Sequence, residues 1–155
     1  MHLSRLDILQ VRNLQNVQIA CHPGANIIFG SNGSGKTSIL EAIYLLGRGR
    51  SFKHRDLRVV VNNDADELVV SARIERTAPE SGHQLGIKRT AQGRFEARLD
   101  GKSLQSAVQL VEELPLQLID AHSFTLLEGG PLQRRQFLDW GVFHVEHGYT
   151  ALWRR

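Results

Sequence analysis

The sequence has little cysteine, no long apolar run and no low-complexity tract, and each absence excludes a class of protein. A single cysteine, Cys21, in 155 residues excludes an internal disulfide and fits a reducing cytoplasm. No apolar run approaches the roughly 18 residues that a membrane span needs. Residues 1–13 also lack the apolar core of a secretory signal. We therefore predict a cytoplasmic protein without a membrane partner.

The net charge is also small, at +3, but the positive charge is concentrated in one segment. Residues 48–58 contain five basic side chains and one acidic side chain, so they contribute +4 and the rest of the chain contributes −1. Such a patch favours contact with a triphosphate or with the phosphates of DNA, whereas a solvated basic loop is the alternative. The candidate DNA contacts are Arg48, Arg50, Lys53 and Arg55.

The most specific pattern is the octapeptide GSNGSGKT, which matches the phosphate-binding loop G-x-x-x-x-G-K-[ST]. Glycines let the backbone approach an anion closely, successive amides form an anion nest, and the following helix adds the positive end of its dipole. Lys36 supplies a charge for the β- and γ-phosphates, and Thr37 offers a hydroxyl to Mg²⁺. The predicted ATP-binding residues are Gly30, Ser31, Asn32, Gly33, Ser34, Gly35, Lys36 and Thr37.

The periodicity of apolar residues predicts an α/β fold around this loop. It predicts strands across Leu3–Val11 and around Val17–Cys21. It also predicts a strand buried on both faces at Asn26–Phe29 and a helix over Lys36–Leu46. Two hairpins follow, "LRVVV" with "ELVVSARIE" and "HQLGIKRT" with "RFEARLD". The rest of the chain is predicted to form a short helix over 105–114, a buried strand "PLQLID" and a helix that starts at Gly129-Gly130-Pro131.

We divide the chain into a phosphate-loop part (1–56), an antiparallel β lobe (57–104) and a return strand with the start of a helical lobe (105–155).

Hydrolysis needs more than the loop, because a carboxylate must hold the Mg²⁺ water shell and another group must orient the attacking water. Asp120, at the end of "PLQLID", is a weak candidate because Ala121 follows it. Gln117 is the better candidate, since a glutamine at a strand end can contact Mg²⁺ or water. A polar residue on the exposed face of a strand is the alternative.

The residues also resemble a known family. "GSNGSGKTSILEAIYLLGRGRSF", Arg12-Asn13, and the later "GGPLQRRQFLDWGVFH" are similar to the RecF family of bacterial recombination ATPases, relatives of the SMC and Rad50 ABC-type ATPases. The resemblance covers nearly the whole chain. It implies a P-loop NTPase with an ABC-ATPase-like head, a mixed sheet and an antiparallel β subdomain. It also implies that Arg12 and Asn13 bind the cofactor, that Gln117 is the Q-loop glutamine acting in catalysis, and that Asp120 is not the Walker B residue.

The resemblance further implies ATP and Mg²⁺ as cofactors, with Thr37 and Gln117 near the metal. It implies a role in DNA replication, recombinational repair and SOS induction, with binding to single-stranded, duplex and gapped DNA. Further expectations are an ATP-dependent homodimer of the full-length chain, partners like RecR and RecO, and a weak DNA-dependent ATPase. The Walker B and signature motifs are not in these 155 residues, so we expect the fragment to be inactive.

Three alternatives stay open at this point. The chain could be the head of another SMC- or Rad50-type ATPase. It could be a P-loop kinase that phosphorylates a small molecule, although no acid/base pair is evident near the loop. It could also be a DNA-binding module whose nucleotide site is idle.

Overall fold

The structure of the chain is a computed structural model that describes residues 1–76 and 82–146. The chain forms two compact units, and the second begins at Gln117. In the described part of the chain, no helix is long and apolar enough to cross a membrane.

The first unit contains a six-stranded sheet in which every paired strand is antiparallel to its neighbour. The strands are β1 His2–Val11, β2 Leu14–Ala20, β3 Glu67–Glu75, β4 His83–Thr90, β5 Phe95–Leu99 and β6 Lys102–Ser103. Their order across the sheet is β2-β1-β3-β4-β5-β6. Alternate apolar residues point to one buried face, as in β3, where Leu68, Val70, Ala72 and Ile74 are at most 1% exposed.

Two helices cover the buried face of this sheet. Helix α1 spans Lys36–Arg48 and contributes Ala42, Leu45 and Leu46 to the core at the spacing of one helix face. It ends at Gly49, which adopts φ 63° and donates its amide to Leu45 O. Helix α2, Ala107–Glu113, begins with a capping box formed by Ser106 and Gln109 and buries Leu110.

The second unit is helical in its described part. It contains a 3₁₀ turn at Ala121–Phe124, helix α3 at Thr125–Glu128 and helix α4 at Pro131–Val145. Helix α4 begins as predicted, with Pro131 in the first turn after Gly130. The predicted helix 105–114 and the second predicted hairpin, now β4–β5, are also confirmed.

The prediction of a buried strand at Asn26–Phe29 is wrong. No described strand pairs with this segment, and the side chains of Ile27 and Phe29 are 84% and 88% exposed. A buried strand needs neighbours that accept and donate its backbone hydrogen bonds. The described sheet offers no such neighbour, so an apolar composition alone does not produce a strand here.

The strand predicted for "PLQLID" is wrong for the same reason. Residues 115–120 have no regular structure, and Ile119 is 82% exposed. The segment contains apolar side chains, but the described strands include no pairing partner for its backbone.

The first predicted hairpin is wrong in its first arm. Leu57–Val60 forms a 3₁₀ turn that Asp56 caps by accepting a hydrogen bond from the amide of Arg58 at 3.0 Å. Leu57 and Val60 are buried together at the i, i+3 spacing that a 3₁₀ turn places on one side. Strand β3 already pairs with β1 and β4 on its two edges, so no edge remains for another arm. The three predicted domain ranges stay predictions.

Candidate nucleotide-binding site

The glycine-rich loop adopts the left-handed backbone that its sequence requires. Gly30, Gly33 and Gly35 have φ values of 150°, 81° and 96°. A β-carbon on Gly35 would lie 2.5 Å from Leu14 Cδ2, whereas one on Gly33 would meet no atom within 4 Å. The loop therefore needs glycine at Gly35 for packing on β2, and it leaves open space at Gly33 where a ligand would approach.

The loop leads into the N-terminus of α1, where the backbone amides remain available. Gly35 occupies the position before the helix with no side-chain cap, and the first turn contains no acidic residue. The unpaired amides and the helix dipole give this end a positive potential. Lys36 Nζ donates to the carbonyls of Gly30 and Ser31 at 2.9 and 2.7 Å, so the ammonium group lies over the loop.

An open cavity of about 420 Å³ lies beside the loop. Its lining contains the helix start, the exposed hydroxyl of Thr37 and the loop amides, with a single formal charge from Lys36. Donors of this kind, with no carboxylate among them, fit the polyphosphate of a nucleotide. The lining residues are Asn13, Asn32, Gly33, Gly35, Lys36, Thr37 and Ser38.

Asn13 connects the turn between β1 and β2 to this loop. Its Nδ2 donates to Gly33 O at 2.9 Å, and its Oδ1 accepts from Ser38 Oγ at 2.8 Å. Both ends of the amide are therefore used, one by the phosphate loop and one by α1. The structure places Asn13 at the predicted nucleotide site.

Arg12, the other residue of that turn, points to a carboxylate and not to the loop cavity. Its guanidinium forms a two-pronged ion pair with Glu41, through Nε to Oε2 and through Nη2 to Oε1 at 3.0 Å. Ser51 Oγ donates to the same carboxylate. We call Arg12, Glu41 and Ser51 the Glu41 cluster. The predicted role of Arg12 toward a nucleotide stays a prediction.

Glu41 is a fully buried carboxylate in the second turn of α1. Burial raises the pKa of the Glu41 carboxyl, but the hydrogen bonds from Arg12 and Ser51 and the charges of Arg12 and Lys53 outweigh it. The pKa therefore lies below its ordinary value of 4.5, and the carboxylate is ionised at neutral pH. A buried charge of this kind is stable only while its partners remain in place.

The candidate DNA contacts of the basic segment divide into two groups. Arg48 is half-buried and donates from Nη2 to Leu116 O at 2.8 Å, and burial lowers the pKa of its guanidinium. Arg50, Lys53 and Arg55 are exposed. Phe52 lies edge-on to Tyr44 with ring centroids 5.4 Å apart. The exposed three are therefore available to a polyanion, whereas Arg48 is held by the fold.

Gln117, the predicted catalytic residue, lies at the beginning of the second unit and is exposed. Of the predicted magnesium ligands, Thr37 lines the loop cavity. Within the described ranges, no group of three or more His, Cys, Asp or Glu side chains could hold a metal ion. In nucleotide-binding proteins Mg²⁺ usually takes part of its coordination from the substrate phosphates and keeps several waters.

Comparison with known proteins decides the family. A family profile described as the RecF/RecN/SMC N terminal domain matches residues 2–130. The chain belongs to the RecF/RecN/SMC N-terminal domain family. Over its whole length it is 52% identical to the DNA replication and repair protein RecF of Pseudomonas fluorescens strain Pf0-1 and 50% identical to that of Pseudomonas syringae pv. syringae strain B728a. It spans about 42% of the length of both relatives.

Solved structures of the same family confirm the fold. A structure of the recombination mediator protein RecF with ATP in the RecFOR pathway superposes with a TM-score of 0.83 at 23% identity, covering 96% of this chain and 41% of that one. A structure from a study of ATP-driven dimerisation and DNA-stimulated activation of SMC ATPases gives 0.74 at 18% identity, covering 90% and 99%. The resemblance to RecF and the predicted P-loop, ABC-ATPase-like head are confirmed.

The predicted site residues do not include Ser38, Glu41 and Ser51, whose side chains form hydrogen bonds around the loop and the start of α1. A signal for two of them was present, because positions 38, 41, 42 and 45 share one face of the predicted helix with the core leucines. An acidic residue on an apolar face indicates a buried charge that needs a partner. No comparable local pattern marks Ser51.

Proposed function

We propose that this chain is the ATP-binding part of a RecF-type protein of DNA replication and recombinational repair. The observation that carries the proposal is the phosphate loop itself, with left-handed glycines at the uncapped start of α1 and Lys36 over the loop. The named RecF relatives at about 50% identity and the RecF structure with ATP support it.

In this proposal the loop amides and Lys36 bind the triphosphate of ATP, and Thr37 contributes a ligand to Mg²⁺ carried by the nucleotide. Gln117 acts at the same metal or its water in the full-length protein. Two full-length chains associate around ATP, and the dimer binds single-stranded, duplex and gapped DNA during repair and SOS induction. Mediator proteins like RecR and RecO are the proposed protein partners, and the cytoplasm is the proposed location.

The kinase alternative receives less support from the site. A phosphoryl acceptor needs a base close to the γ-phosphate. The described lining of the loop cavity contains amides, hydroxyls and one ammonium group, but no carboxylate and no imidazole. This set of donors favours binding of a nucleotide over transfer of its phosphoryl group to a small molecule.

The experiment is nucleotide titration of the full-length protein with a fluorescent ATP analogue and Mg²⁺. Lys36→Ala removes the charged donor found among the described residues that line the loop cavity, and we expect ATP affinity to fall about tenfold to a hundredfold. Lys88→Ala is the matched control, because Lys88 pairs with Glu67 on the sheet, away from the cavity. Equal affinities of the two variants would refute the proposed site.

Association is tested in the same preparations by light scattering on gapped DNA. We expect ATP and Mg²⁺ to convert monomers to dimers in the unaltered protein and in Lys88→Ala, but not in Lys36→Ala. A dimer that forms equally well without nucleotide would contradict the proposed role of ATP in bringing two chains together.

A further inference from the structure

The carboxylate of Glu41 lies between two segments that are far apart in sequence. Arg12 precedes it by 29 residues and Ser51 follows it by 10, and both donate hydrogen bonds to it. Glu41 is fully buried and charged. Moving either partner away therefore leaves a buried charge with fewer hydrogen bonds, which is unfavourable for the free energy of folding. The turn that contains Arg12 and the segment that contains Ser51 are therefore connected through the side chain of Glu41.

On one side, this connection reaches the phosphate loop. Arg12 has a left-handed backbone with φ 50°, and its amide donates to Val60 O at 2.8 Å, so the turn has little freedom. The next residue, Asn13, holds the carbonyl of Gly33. Gly33 of the phosphate loop is therefore connected to Glu41 by two contacts, one from Asn13 to the Gly33 carbonyl and one from Arg12 to the carboxylate.

On the other side, the connection reaches the basic segment. Ser51 Oγ donates to Glu41 and accepts from the amides of Lys53 and His54 at 3.0 and 3.1 Å. These bonds fix the start of the exposed run that contains Lys53 and Arg55. The placement of these cations toward a polyanion therefore depends on the position of Ser51.

We propose that Glu41 is a positioning residue that couples nucleotide occupancy of the phosphate loop to DNA binding by the basic segment. The inference rests on the proposed function, because it assumes ATP in the loop and DNA phosphates at Arg50, Lys53 and Arg55. Coupling of this kind is reciprocal, so DNA raises ATP affinity by the factor by which ATP raises DNA affinity.

The test uses the full-length protein and a fluorescently labelled gapped DNA. DNA affinity is measured by anisotropy with and without a slowly hydrolysed ATP analogue, and their ratio is the coupling factor. Glu41→Gln and Ser51→Ala each break one part of the connection. We expect a factor of at least about fivefold in the unaltered protein and a factor within about twofold of unity in both variants. ATP affinity without DNA is measured for both variants as well, so that a change in the loop itself is separated from a change in the coupling factor.

Matched controls come from a second group of the same three residue types, Ser4, Arg73 and Glu75, which we call the Glu75 cluster. Here Arg73 Nε donates to Glu75 at 2.7 Å and Ser4 Oγ donates to it at 3.2 Å; Glu75 and Ser4 are half-buried and Arg73 is exposed. Glu75→Gln and Ser4→Ala make identical chemical changes away from the loop. We expect both controls to keep the coupling factor of the unaltered protein.

The outcomes separate the inference from the proposed function. If Glu41→Gln and Ser51→Ala both keep the coupling factor of the unaltered protein, the inference is wrong and the proposed function stands. If Glu75→Gln and Ser4→Ala also lose the coupling, the inference is wrong because the effect is not specific to Glu41. If ATP does not change the DNA affinity of the unaltered protein, the inference and the proposed function are both refuted. Should Glu41→Gln fail to fold, Ser51→Ala decides the question.

Discussion

The Glu41 cluster and the Glu75 cluster contain the same three residue types, but the arginine pairs through two nitrogens in the first and through one in the second, and the clusters differ in burial. The Glu41 side chain is 0% exposed and its arginine 26%, whereas the Glu75 side chain is 23% exposed and its arginine 54%. In both clusters the carboxyl pKa is lowered. For Glu75 the largest cause is the Arg73 hydrogen bond. For Glu41 the largest single influence is burial, which raises the pKa and which the partners must overcome.

Residue type and hydrogen bonding therefore do not by themselves decide how an ion pair affects stability. Water can solvate Arg73 or Glu75 when the partner is removed, so this pair contributes little to the free energy of unfolding. No water is available to Glu41, so its partners are obligatory. Of the two, only the Glu41 cluster can transmit a displacement from one segment to another.

The largest expected difference follows replacement of the two acids by alanine. Glu41→Ala leaves the charge of Arg12 without its partner, and we expect the free energy of unfolding to fall by about 3–5 kcal/mol, as for other broken buried pairs. Glu75→Ala should leave the urea midpoint unchanged within error. Urea unfolding followed by circular dichroism measures both. Equal shifts would show that the two clusters are energetically alike and would remove the basis of the comparison.

The phosphate loop and α1 could be predicted from sequence because their determinants are local. Glycines that need positive φ, a lysine and an apolar helical period lie within about twenty consecutive residues. The β4–β5 hairpin was predicted correctly for the same reason, since its two arms and the turn between them are adjacent in the chain.

The failures concern segments whose structure depends on distant partners. Asn26–Phe29 and residues 115–120 have the composition of buried strands, but no described strand pairs with them. Leu57–Val61 has the composition of a strand, yet the sheet has no free edge for it beside β3. Periodicity reports which side chains prefer burial, and it does not report whether a backbone partner exists.

The residues of the candidate site also differ in whether a local sequence pattern predicts them. The loop residues were found by their spacing, whereas the Glu41 cluster joins positions 12, 41 and 51, and no local pattern contains all three. Family resemblance implies that Arg12 binds the cofactor, and the structure shows its guanidinium paired with Glu41. Predicting that contact would require knowing that the turn after β1 lies beside the second turn of α1.

The second difference concerns the serines. Ser51→Ala removes one hydrogen bond to a buried charge and leaves the amides of Lys53 and His54 without their acceptor. We expect it to lower the free energy of unfolding by about 1 kcal/mol. Ser4→Ala removes a part-buried bond to a carboxylate that is still 23% exposed, so solvent can replace part of it and we expect a smaller change. The same urea experiment applies, and a larger loss in Ser4→Ala than in Ser51→Ala would reverse the assignment of the buried and exposed clusters.

The third difference appears on acidification. Because folding lowers the pKa of Glu41 below 4.5, the unfolded chain binds more protons as the pH falls through this range. The stabilisation is therefore present above pH 4.5 and is lost as the pH drops toward the folded pKa. We expect the urea midpoint of Glu41→Gln to depend less steeply on pH below 4.5 than that of the unaltered protein.

The control for the acid experiment is Glu75→Gln. Its carboxyl pKa is also lowered, so the sign of its contribution is the same, but its exposure leaves only a minor change in slope. A slope in Glu41→Gln that equals that of the unaltered protein would show that Glu41 has the same pKa in the folded and unfolded states.

The smallest expected difference is in the response to salt, and it tests burial most directly. Raising NaCl to about 1 M shortens the screening length to about 3 Å, which weakens exposed charge pairs but not pairs shielded from solvent. Any difference in Tm between Glu75→Gln and the unaltered protein should vanish at high salt, because ions reach Arg73 and Glu75 from the solvent. The difference caused by Glu41→Gln should persist, because no ion can approach a carboxylate enclosed by Arg12, Ser51 and the core. If salt erased both differences alike, the Glu41 carboxylate would be reachable from solvent, and the obligatory pairing from which we infer its coupling role would not hold.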